Sequence, residues 1–238
     1  MNINTKQISF NLAMKKYHEK KRYGYIYLLV SFLNVGMQFY LLSVLFTLNF
    51  QWHLFLVIFL LAYFLTDFIN GYIHLYMDNN HNYEGIMGPF VASFHLHHRH
   101  PTYANFSLPR IYFNESGAKF WLVLFLLLTI VLSFTQINSY LLMTLIFIGI
   151  LSSVAEVSHF LCHNGKSSTV LFLQNIGILL SMKHHRKHHE EDNQSYAFLN
   201  GMSDFFLDKI AKRFYDGYQN YSDLHAKAYV GEDTRNRG

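Results

Sequence analysis

The sequence predicts an all-α integral membrane protein, built as a four-helix bundle from two transmembrane hairpins. Two features of the composition predict this: 51% of the 238 residues are hydrophobic and only 14% are charged, against about 25% charged residues in an ordinary soluble domain. A third feature is the arrangement, because the apolar residues form long runs that contain almost no charge. A soluble enzyme with a buried core is therefore the less favoured interpretation.

Four apolar runs are predicted to cross the membrane, at 26–48, 52–70, 118–136 and 137–155. The first contains no charged residue and, at about 1.5 Å per residue, can cross about 30 Å of hydrocarbon. Short polar breaks, beginning at Asn49 and at Gln136, predict two tight hairpins. A shorter apolar stretch, at 169–182, favours a segment that lies in the membrane interface.

The basic residues predict the orientation. A cluster that includes Lys15, Lys16 and Arg22 directly precedes the first run, and neither hairpin break contains Lys or Arg. With a cytoplasmic N-terminus, all 19 Lys and Arg residues lie on the cytoplasmic side or at its edge, as the positive-inside rule requires. Both termini are then cytoplasmic. Because no separate basic domain or RNA-binding motif is present, nucleic acid is not an expected partner.

The chain is predicted to have three parts: a basic cytoplasmic N-terminal segment at 1–25, a membrane domain at 26–217 and a polar C-terminal tail at 218–238. The single cysteine, Cys162, excludes an intrachain disulfide and a cysteine-rich zinc or iron–sulfur cluster.

Histidines gather at the predicted cytoplasmic ends of the runs. His74 and Asp78 follow the second run at a spacing of one helical turn, and His159 and His163 follow the fourth run at the same spacing. Two denser clusters lie in the connecting segments, at 94–101 and 183–189. His18, His53 and His225 are interpreted as single interfacial side chains, with His53 on the opposite face of the membrane, and His81 is excluded because it fits no such spacing.

This number of ligands predicts two metal ions. Imidazole nitrogen suits iron, zinc and copper, and a single zinc ion takes only three or four protein ligands. Neither H-E-x-x-H nor the paired Glu-x-x-His motifs of soluble di-iron proteins occur in the sequence. The remaining interpretation is a histidine-rich di-metal cap, holding iron, at the cytoplasmic face of the bundle.

These motifs resemble those of the membrane lipid desaturase family, which includes plasmanylethanolamine desaturase (the Kua-type proteins) and the plant plastid phosphatidylglycerol acyl desaturases. The resemblance rests on five segments in the family's order: 66–74 with Asp78, 94–101, 159–163, 173–174 and 183–189. It covers most of the chain, from Thr66 to Phe214.

The resemblance implies four membrane helices, a cytoplasmic di-iron site and O2-dependent dehydrogenation of a lipid chain, with electrons from a cytochrome b5-like or ferredoxin-like protein. The implied metal ligands are His74, Asp78, His97, His98, His159, His163, His184, His185, His188 and His189. Residues expected to orient these ligands are Asp67, His95, His100, Glu156 and Asn193. Basic residues placed to meet a lipid phosphate are Arg99, Lys183, Arg186 and Lys187.

Several alternatives stay open at this point. The substrate is either the O-alkyl chain of a plasmanyl phospholipid, which would become a plasmenyl vinyl ether, or a phospholipid acyl chain. A lipid or fatty-acid hydroxylase would use the same histidines. A non-catalytic membrane metal-binding protein is a third possibility, although metal transport would favour polar groups near the middle of the bilayer.

Overall fold

A computed structural model describes residues 3–19, 22–99 and 106–217 of the chain. Across these ranges the regular elements are ten α-helices and one 3-10 turn, Ser116–Ala118. The helices are α1 (Ile3–His18), α2 (Arg22–Leu45), α3 (Trp52–Asp78), α4 (Gly88–Arg99), α5 (Leu108–Glu115), α6 (Phe120–Ser133), α7 (Ser139–Asn164), α8 (Ser168–Asn175), α9 (Met182–Glu190) and α10 (Asp204–Phe214). The all-helical prediction is confirmed for this part of the chain. The predicted tail at 218–238 lies outside it.

Within the described ranges, three helices are long and apolar enough to cross a membrane: Gly24–Leu45 within α2, and the whole of α3 and α7. A fourth span results if the bent pair Leu108–Ala118 and Phe120–Ser133 is counted as one. Large apolar side chains such as Phe32, Leu60 and Leu124 are exposed on the outside of the bundle. An apolar surface of this kind is stable when lipid covers it, so the predicted membrane helices are confirmed as three or up to four spans.

Helix α6 is shorter than the predicted third span. It has 14 residues, or about 21 Å, whereas a span takes about 20 residues. The chain bends by 93° before α6, and the side-chain amide of Asn34 on α2 holds the bend. This amide donates hydrogen bonds to the carbonyl oxygens of Ser116 (2.9 Å) and Lys119 (3.1 Å), which an uninterrupted helix would have satisfied itself.

Helices α3 and α7 continue beyond the predicted runs, to Asp78 and Asn164. Their histidines therefore lie within the long helices and not in loops after them. Buried apolar residues of α2, α3, α6 and α7 form the main core, among them Leu41, Ala62, Leu122 and Met143. Because α3 packs along α7 in this core, the histidine-bearing ends of the two helices meet at one end of the bundle.

Helix α1 was not expected within the predicted basic N-terminal segment. Its Phe10 ring packs edge-on against Tyr83, with ring centroids 5.3 Å apart, and the Ser9 hydroxyl donates to the Glu84 carboxylate at 2.8 Å. Phe10 and Tyr83 share a buried cluster with Val91 and Ala92 of α4. Helix α1 therefore covers α4, one of the helices that carry the histidines.

Gly71 allows the C-terminal part of the chain to approach α3 closely. A Cβ atom at this position would lie 2.4 Å from Leu207 Cδ1 and 2.9 Å from the Ala197 Cα. The leucine side chain can move, but the backbone of Ala197 has to shift. We expect Gly71→Ala to lower the free energy of unfolding by about 1–3 kcal/mol, measured by thermal unfolding of the purified protein in detergent.

Gly36→Ala on α2 is the matched control for this substitution. No atom lies within 4 Å of the added Cβ there, and alanine favours the helix by about 1 kcal/mol over glycine. This variant should be as stable as the native chain or more so. Equal melting temperatures for the two variants would contradict the close approach at Gly71.

Candidate metal centre

Four helices bring their histidines together in two neighbouring groups. The first, the four-histidine group, consists of His97, His163, His185 and His189. The second, the three-histidine–aspartate group, consists of His74, Asp78, His98 and His188. In each group the four side chains offer ligand atoms that all lie within 4.8 Å of one another, a spacing that permits one metal ion per group.

The helical spacing explains how adjacent residues enter different groups. His185 and His189 lie four residues apart on one face of α9, whereas His188 is turned toward the other group. His97 and His98 of α4 divide in the same way. The two groups adjoin, because the rings of His98 and His189 are 5.2 Å apart and those of His185 and His188 are 5.5 Å apart.

In the four-histidine group the ring nitrogens converge. The Nε2 atom of His185 lies 3.0 Å from that of His189 and 2.9 Å from that of His159. The Nε2 atoms of His159 and His163 are 3.3 Å apart. His159 therefore lies directly beside the four-histidine group and presents its nitrogen to the same point.

The three-histidine–aspartate group is arranged around one buried carboxylate. Asp78 Oδ1 lies 2.8 Å from His98 Nε2, and its Oδ2 lies 3.5 Å from His74 Nε2 and 3.4 Å from His188 Nε2. Asp78 and His188 are completely buried and His74 nearly so. Three imidazoles and a carboxylate thus face one another away from water.

Backbone carbonyls set the orientation of three of these rings. The Nδ1 atoms of His74, His188 and His189 face the carbonyl oxygens of Tyr196 (2.8 Å), Gln194 (3.2 Å) and His98 (3.4 Å). A neutral ring that donates its Nδ1 hydrogen to a carbonyl keeps an electron pair on Nε2. This pair points into the group, which is the usual arrangement of a metal-binding histidine.

The donor atoms fit a metal ion. An ion bound at about 2.1 Å from each nitrogen holds neighbouring nitrogens about 3.0–3.4 Å apart in octahedral or tetrahedral geometry, close to the 3.0 Å between the Nε2 atoms of His185 and His189. A cation would also relieve the repulsion between the Nε2 electron pairs of His74 and His188 and the oxygens of Asp78. Imidazole with carboxylate is a donor set that suits iron.

Burial keeps the rings outside the membrane-spanning helices neutral. Burial, followed by neighbouring imidazoles, holds the pKa of His97, His185 and His188 well below its usual value. Burial and the nearby His98 lower the pKa of His189 to about 4. Because a metal binds the neutral ring, these residues need not lose a proton before they bind an ion near neutral pH.

Aromatic side chains form a wall beside both groups. The ring of Phe198 lies 5.6 Å from that of His74 and 5.5 Å from that of His159, while Tyr196 lies 4.9 Å from His188. Phe94 of α4 packs edge-on against His74 at 5.1 Å. The segment that carries Tyr196 and Phe198 thus excludes water from the rings and contributes a carbonyl that orients His74.

Asp67, which was expected to orient the ligands, acts instead on the loop that follows this segment. Its carboxylate accepts hydrogen bonds from the backbone N–H groups of residues 199, 200, 201 and 203, at 3.1, 2.9, 3.3 and 2.9 Å, and from the Ser203 hydroxyl at 2.8 Å. Asp67 is completely buried. Its effect on the histidines is therefore indirect, through the position of Phe198.

His184 is an expected ligand that the structure does not bring to either group. Its Nε2 lies 2.6 Å from Asp204 Oδ2, and this hydrogen bond raises the pKa of His184. Asp204 also accepts from the backbone N–H of Ala197 at 2.8 Å. The pair therefore links α9 to the aromatic segment. Adjacent His185 points to the other side of the helix, because consecutive helical residues lie about 100° apart.

Two residues expected to orient the ligands also lie close to the groups. His95 accepts a hydrogen bond from the Tyr83 hydroxyl at 2.8 Å and donates to the carbonyl of Met77 at 2.9 Å, which ties α4 to the end of α3. Asn193 donates to the carbonyl of Tyr215 at 2.8 Å and accepts from the Tyr196 hydroxyl at 3.4 Å. His100 lies outside the described residues.

Glu156 forms an ion pair with Lys119 at 3.0 Å below the histidines. The Lys119 ammonium also donates to Asn70 Oδ1 and lies 4.9 Å from the centre of the Phe198 ring. Lys119 is only 4% exposed. The sequence placed Lys119 at the start of a span but gave no sign of this pairing, since its partners lie 37 and 49 residues away in the chain.

We expect Glu156→Gln to destabilise the protein by about 3–5 kcal/mol, because it removes the carboxylate that pairs with the buried ammonium of Lys119. Thermal unfolding measures this loss. The double substitution Lys119→Met with Glu156→Leu removes both charges and should recover much of the stability. If the double variant is no more stable than Glu156→Gln, the ion pair does not account for the effect.

Three of the basic residues predicted to meet a lipid phosphate are exposed on the outer face of α9: Lys183, Arg186 and Lys187. The inner face of the same helix carries His185 and His188. The side chain of Arg99 lies outside the described part of the chain.

Several residues that contact the site were not predicted from the sequence, because they lie outside the histidine motifs. Tyr196, Phe198 and Asp204 lie in a segment without apolar periodicity. Asp204 contacts His184, which is 20 residues away in the sequence. Tyr196 and Phe198 contact His74, which is more than 100 residues away. The Asp204 side chain precedes an amphipathic stretch, which is a sign of a helix start, but nothing local indicated its pairing with His184.

Comparison with known families identifies the family of the chain. A family model described as a lipid desaturase domain matches residues 63–218. The chain belongs to the membrane lipid desaturase family. The matched range contains every residue of the two groups, together with Asp67, Glu156 and Asp204. Comparisons with curated proteins and with solved structures gave no match. Membership supports an oxidoreductase that acts on a membrane lipid.

Proposed function

We propose that this lipid desaturase is an O2-dependent di-iron enzyme that removes two hydrogens from a phospholipid chain. The observation that supports two irons is the pair of adjoining groups, which together offer seven imidazoles and one carboxylate. Iron held there would supply the activation of O2 and the oxidation of an unactivated C–H bond. The overall reaction takes one O2, two electrons and two protons per double bond formed and releases two waters.

The residues of the chain have distinct tasks in this proposal. His97, His163, His185 and His189 would hold one ion, with His159 beside them. His74, Asp78, His98 and His188 would hold the other. The carbonyls of residues 98, 194 and 196 fix the ring orientations, and Phe94 and Phe198 keep water from the reacting chain. His184 acts through Asp204 on the position of α9.

The proposed substrate is a plasmanyl phospholipid, whose O-alkyl chain would become a vinyl ether, or a phospholipid with an acyl chain to desaturate. Lys183, Arg186 and Lys187 are exposed on the helix that also carries metal ligands, a position suited to the phosphate of a headgroup near the reacting carbons. Arg99, whose side chain lies outside the described residues, is proposed for the same role from the sequence alone. We place this face and both termini in the cytoplasm, where the positive-inside rule puts basic residues and where a cytochrome b5-like or ferredoxin-like donor can reach the site.

Mass spectrometry of lipid products tests the proposal. The full chain, reconstituted with iron in bilayer discs that contain O-alkyl and diacyl phospholipids, is supplied with a reductant and O2. We expect about two irons per chain, one for each group, and a product that has lost two hydrogens. A product that gains one oxygen would show a hydroxylase. Bound metal without a changed lipid would show a non-catalytic metal-binding protein.

A further inference from the structure

Helix α10 presents an exposed face that the proposed chemistry does not use. Its inward side, formed by Asp204, Leu207 and Ala211, is buried against the rest of the protein. Its outward side carries two adjacent exposed phenylalanines and three exposed basic residues: Phe205, Phe206, Lys209, Lys212 and Arg213. Phe214, the last residue of the helix, is also exposed. Phe205 is 64% and Phe206 50% exposed, which is unusual for two adjacent aromatic rings in contact with water.

Helix α10 lies beside the membrane-spanning helix α3. The ring of Phe206 lies 6.2 Å from that of Phe64 in the membrane-spanning helix α3. Leu207 and, one helical turn later, Ala211 share a buried cluster with Leu75, nearer the histidine-bearing end of α3. Helix α10 therefore runs alongside α3, with its phenylalanines at the level of the membrane span and its later residues toward the histidines.

A second apolar segment lies at the same level. Between α8 and α9, Ile176 and Ile178 are exposed, and the Tyr63 hydroxyl of α3 donates to the carbonyl of Ile178. The side chain of Asn200 donates to the carbonyl of Gly177 at 3.2 Å, which joins this segment to the loop before α10. Met202 in that loop is also exposed. The apolar side chains thus form a continuous rim around this side of α3.

The basic and acidic side chains of α10 differ in their exposure to the surroundings. Lys209, Lys212 and Arg213 point outward, whereas Asp204 is buried and Asp208 accepts a hydrogen bond from the backbone N–H of Ser195 at 2.8 Å. The exposed charged residues of α10 are therefore all basic, while the partly buried Asp208 lies near Lys212. The Lys209 ammonium lies 3.7 Å from the centre of the Phe205 ring, so that the basic and aromatic parts form one surface.

We infer that the outward face of α10 is a membrane anchor that inserts Phe205 and Phe206 into the lipid leaflet and binds anionic lipid headgroups through Lys209, Lys212 and Arg213. Aromatic rings at the edge of the membrane, with lysine and arginine beyond them at the level of the headgroups, are the side chains that hold a protein segment at a bilayer interface. Each basic residue near an anionic surface favours binding by about fivefold. The anchor would hold α10, and through Asp204 the aromatic segment, at a fixed depth.

Fluorescence quenching by brominated lipid tests this anchor independently of the proposed chemistry. The chain has two tryptophans, Trp52 and Trp121, and a background with both changed to phenylalanine allows a single reporter. In this background Phe205→Trp is reconstituted, as the full chain, in bilayer discs of phosphatidylcholine and phosphatidylglycerol with brominated acyl chains. A matched reporter, Glu191→Trp, occupies an exposed position beyond α9.

We expect bromine to quench the reporter at position 205 several-fold more strongly than the reporter at 191. Equal quenching would overturn the anchor. A reporter at 205 that is shielded from both bromine and aqueous acrylamide would also overturn it, because a protein surface would then cover the face.

A second measurement tests the role of the basic residues of α10 in binding anionic lipid. Raising the fraction of phosphatidylglycerol should increase quenching at position 205 in the chain with native α10 charges. The triple substitution Lys209→Gln, Lys212→Gln and Arg213→Gln should abolish this response while quenching in pure phosphatidylcholine persists. An unchanged response in the triple variant would overturn the assignment of anionic headgroups to these residues.

Discussion

Replacing His185 with alanine should remove iron from the four-histidine group and lower lipid desaturation by at least about 100-fold, more than the loss usual for residues that only orient a ligand. His185 is 1% exposed, and its Nε2 lies within 3.0 Å of the nitrogens of both His159 and His189. His188→Ala should empty the other group and have a similar effect on activity. Elemental analysis of the purified variants and the yield of lipid product measure both effects.

Two controls separate metal loss from general damage to α9. Glu190→Ala changes an exposed residue of the same helix and should retain iron and activity. His184→Ala removes a neighbouring imidazole that pairs with Asp204, and this variant should retain both irons. Full iron content in His185→Ala would contradict the assignment of His185 to the four-histidine group. Equal loss of iron from His184→Ala and His185→Ala would contradict the exclusion of His184 from both groups.

Replacing Asp67 with alanine should cause a large loss of stability, about 3–5 kcal/mol. The substitution leaves four backbone N–H groups and one hydroxyl of residues 199–203 without their acceptor, and a buried donor without a partner costs about 1–3 kcal/mol. Relaxation of the loop and entry of water reduce the total below the sum of the separate costs. Thermal unfolding in detergent measures the change.

Metal binding gives a second readout for Asp67→Ala. Because the loop follows Phe198, whose ring touches His74 and His159, iron should be held less tightly by the variant that remains folded. Asp216→Ala, at an exposed aspartate, is the control and should have the same melting temperature as the native chain. A melting temperature for Asp67→Ala equal to that of Asp216→Ala would show that the carboxylate does not hold the loop.

Much of this architecture was predictable from local sequence. Long apolar runs predict membrane helices because each must be covered by lipid or by other helices. The spacing of His74 and Asp78, of His159 and His163, and of His185 and His189 places each pair on one face of a helix, whatever the helix packs against. Residue type and spacing together indicated metal binding, and the family match over residues 63–218 agrees with that interpretation.

Local sequence did not determine the bend before α6, which depends on hydrogen bonds from Asn34 on another helix. Local sequence also did not predict a helix in the N-terminal segment, because α1 is stabilised by burial of Phe10 against Tyr83, 73 residues later in the chain.

The sequence by itself determined that this protein is helical, that it has membrane spans and that it carries the imidazoles for a metal site. The tertiary structure alone decided that His184 turns to Asp204 while His185 joins the four-histidine group, that Asp67 holds a loop, and that Lys119 pairs with Glu156. The physical reason is the range of the interactions: helix formation and the face that a residue occupies depend on neighbours within one or two turns, whereas a partner across helices depends on how the whole chain packs.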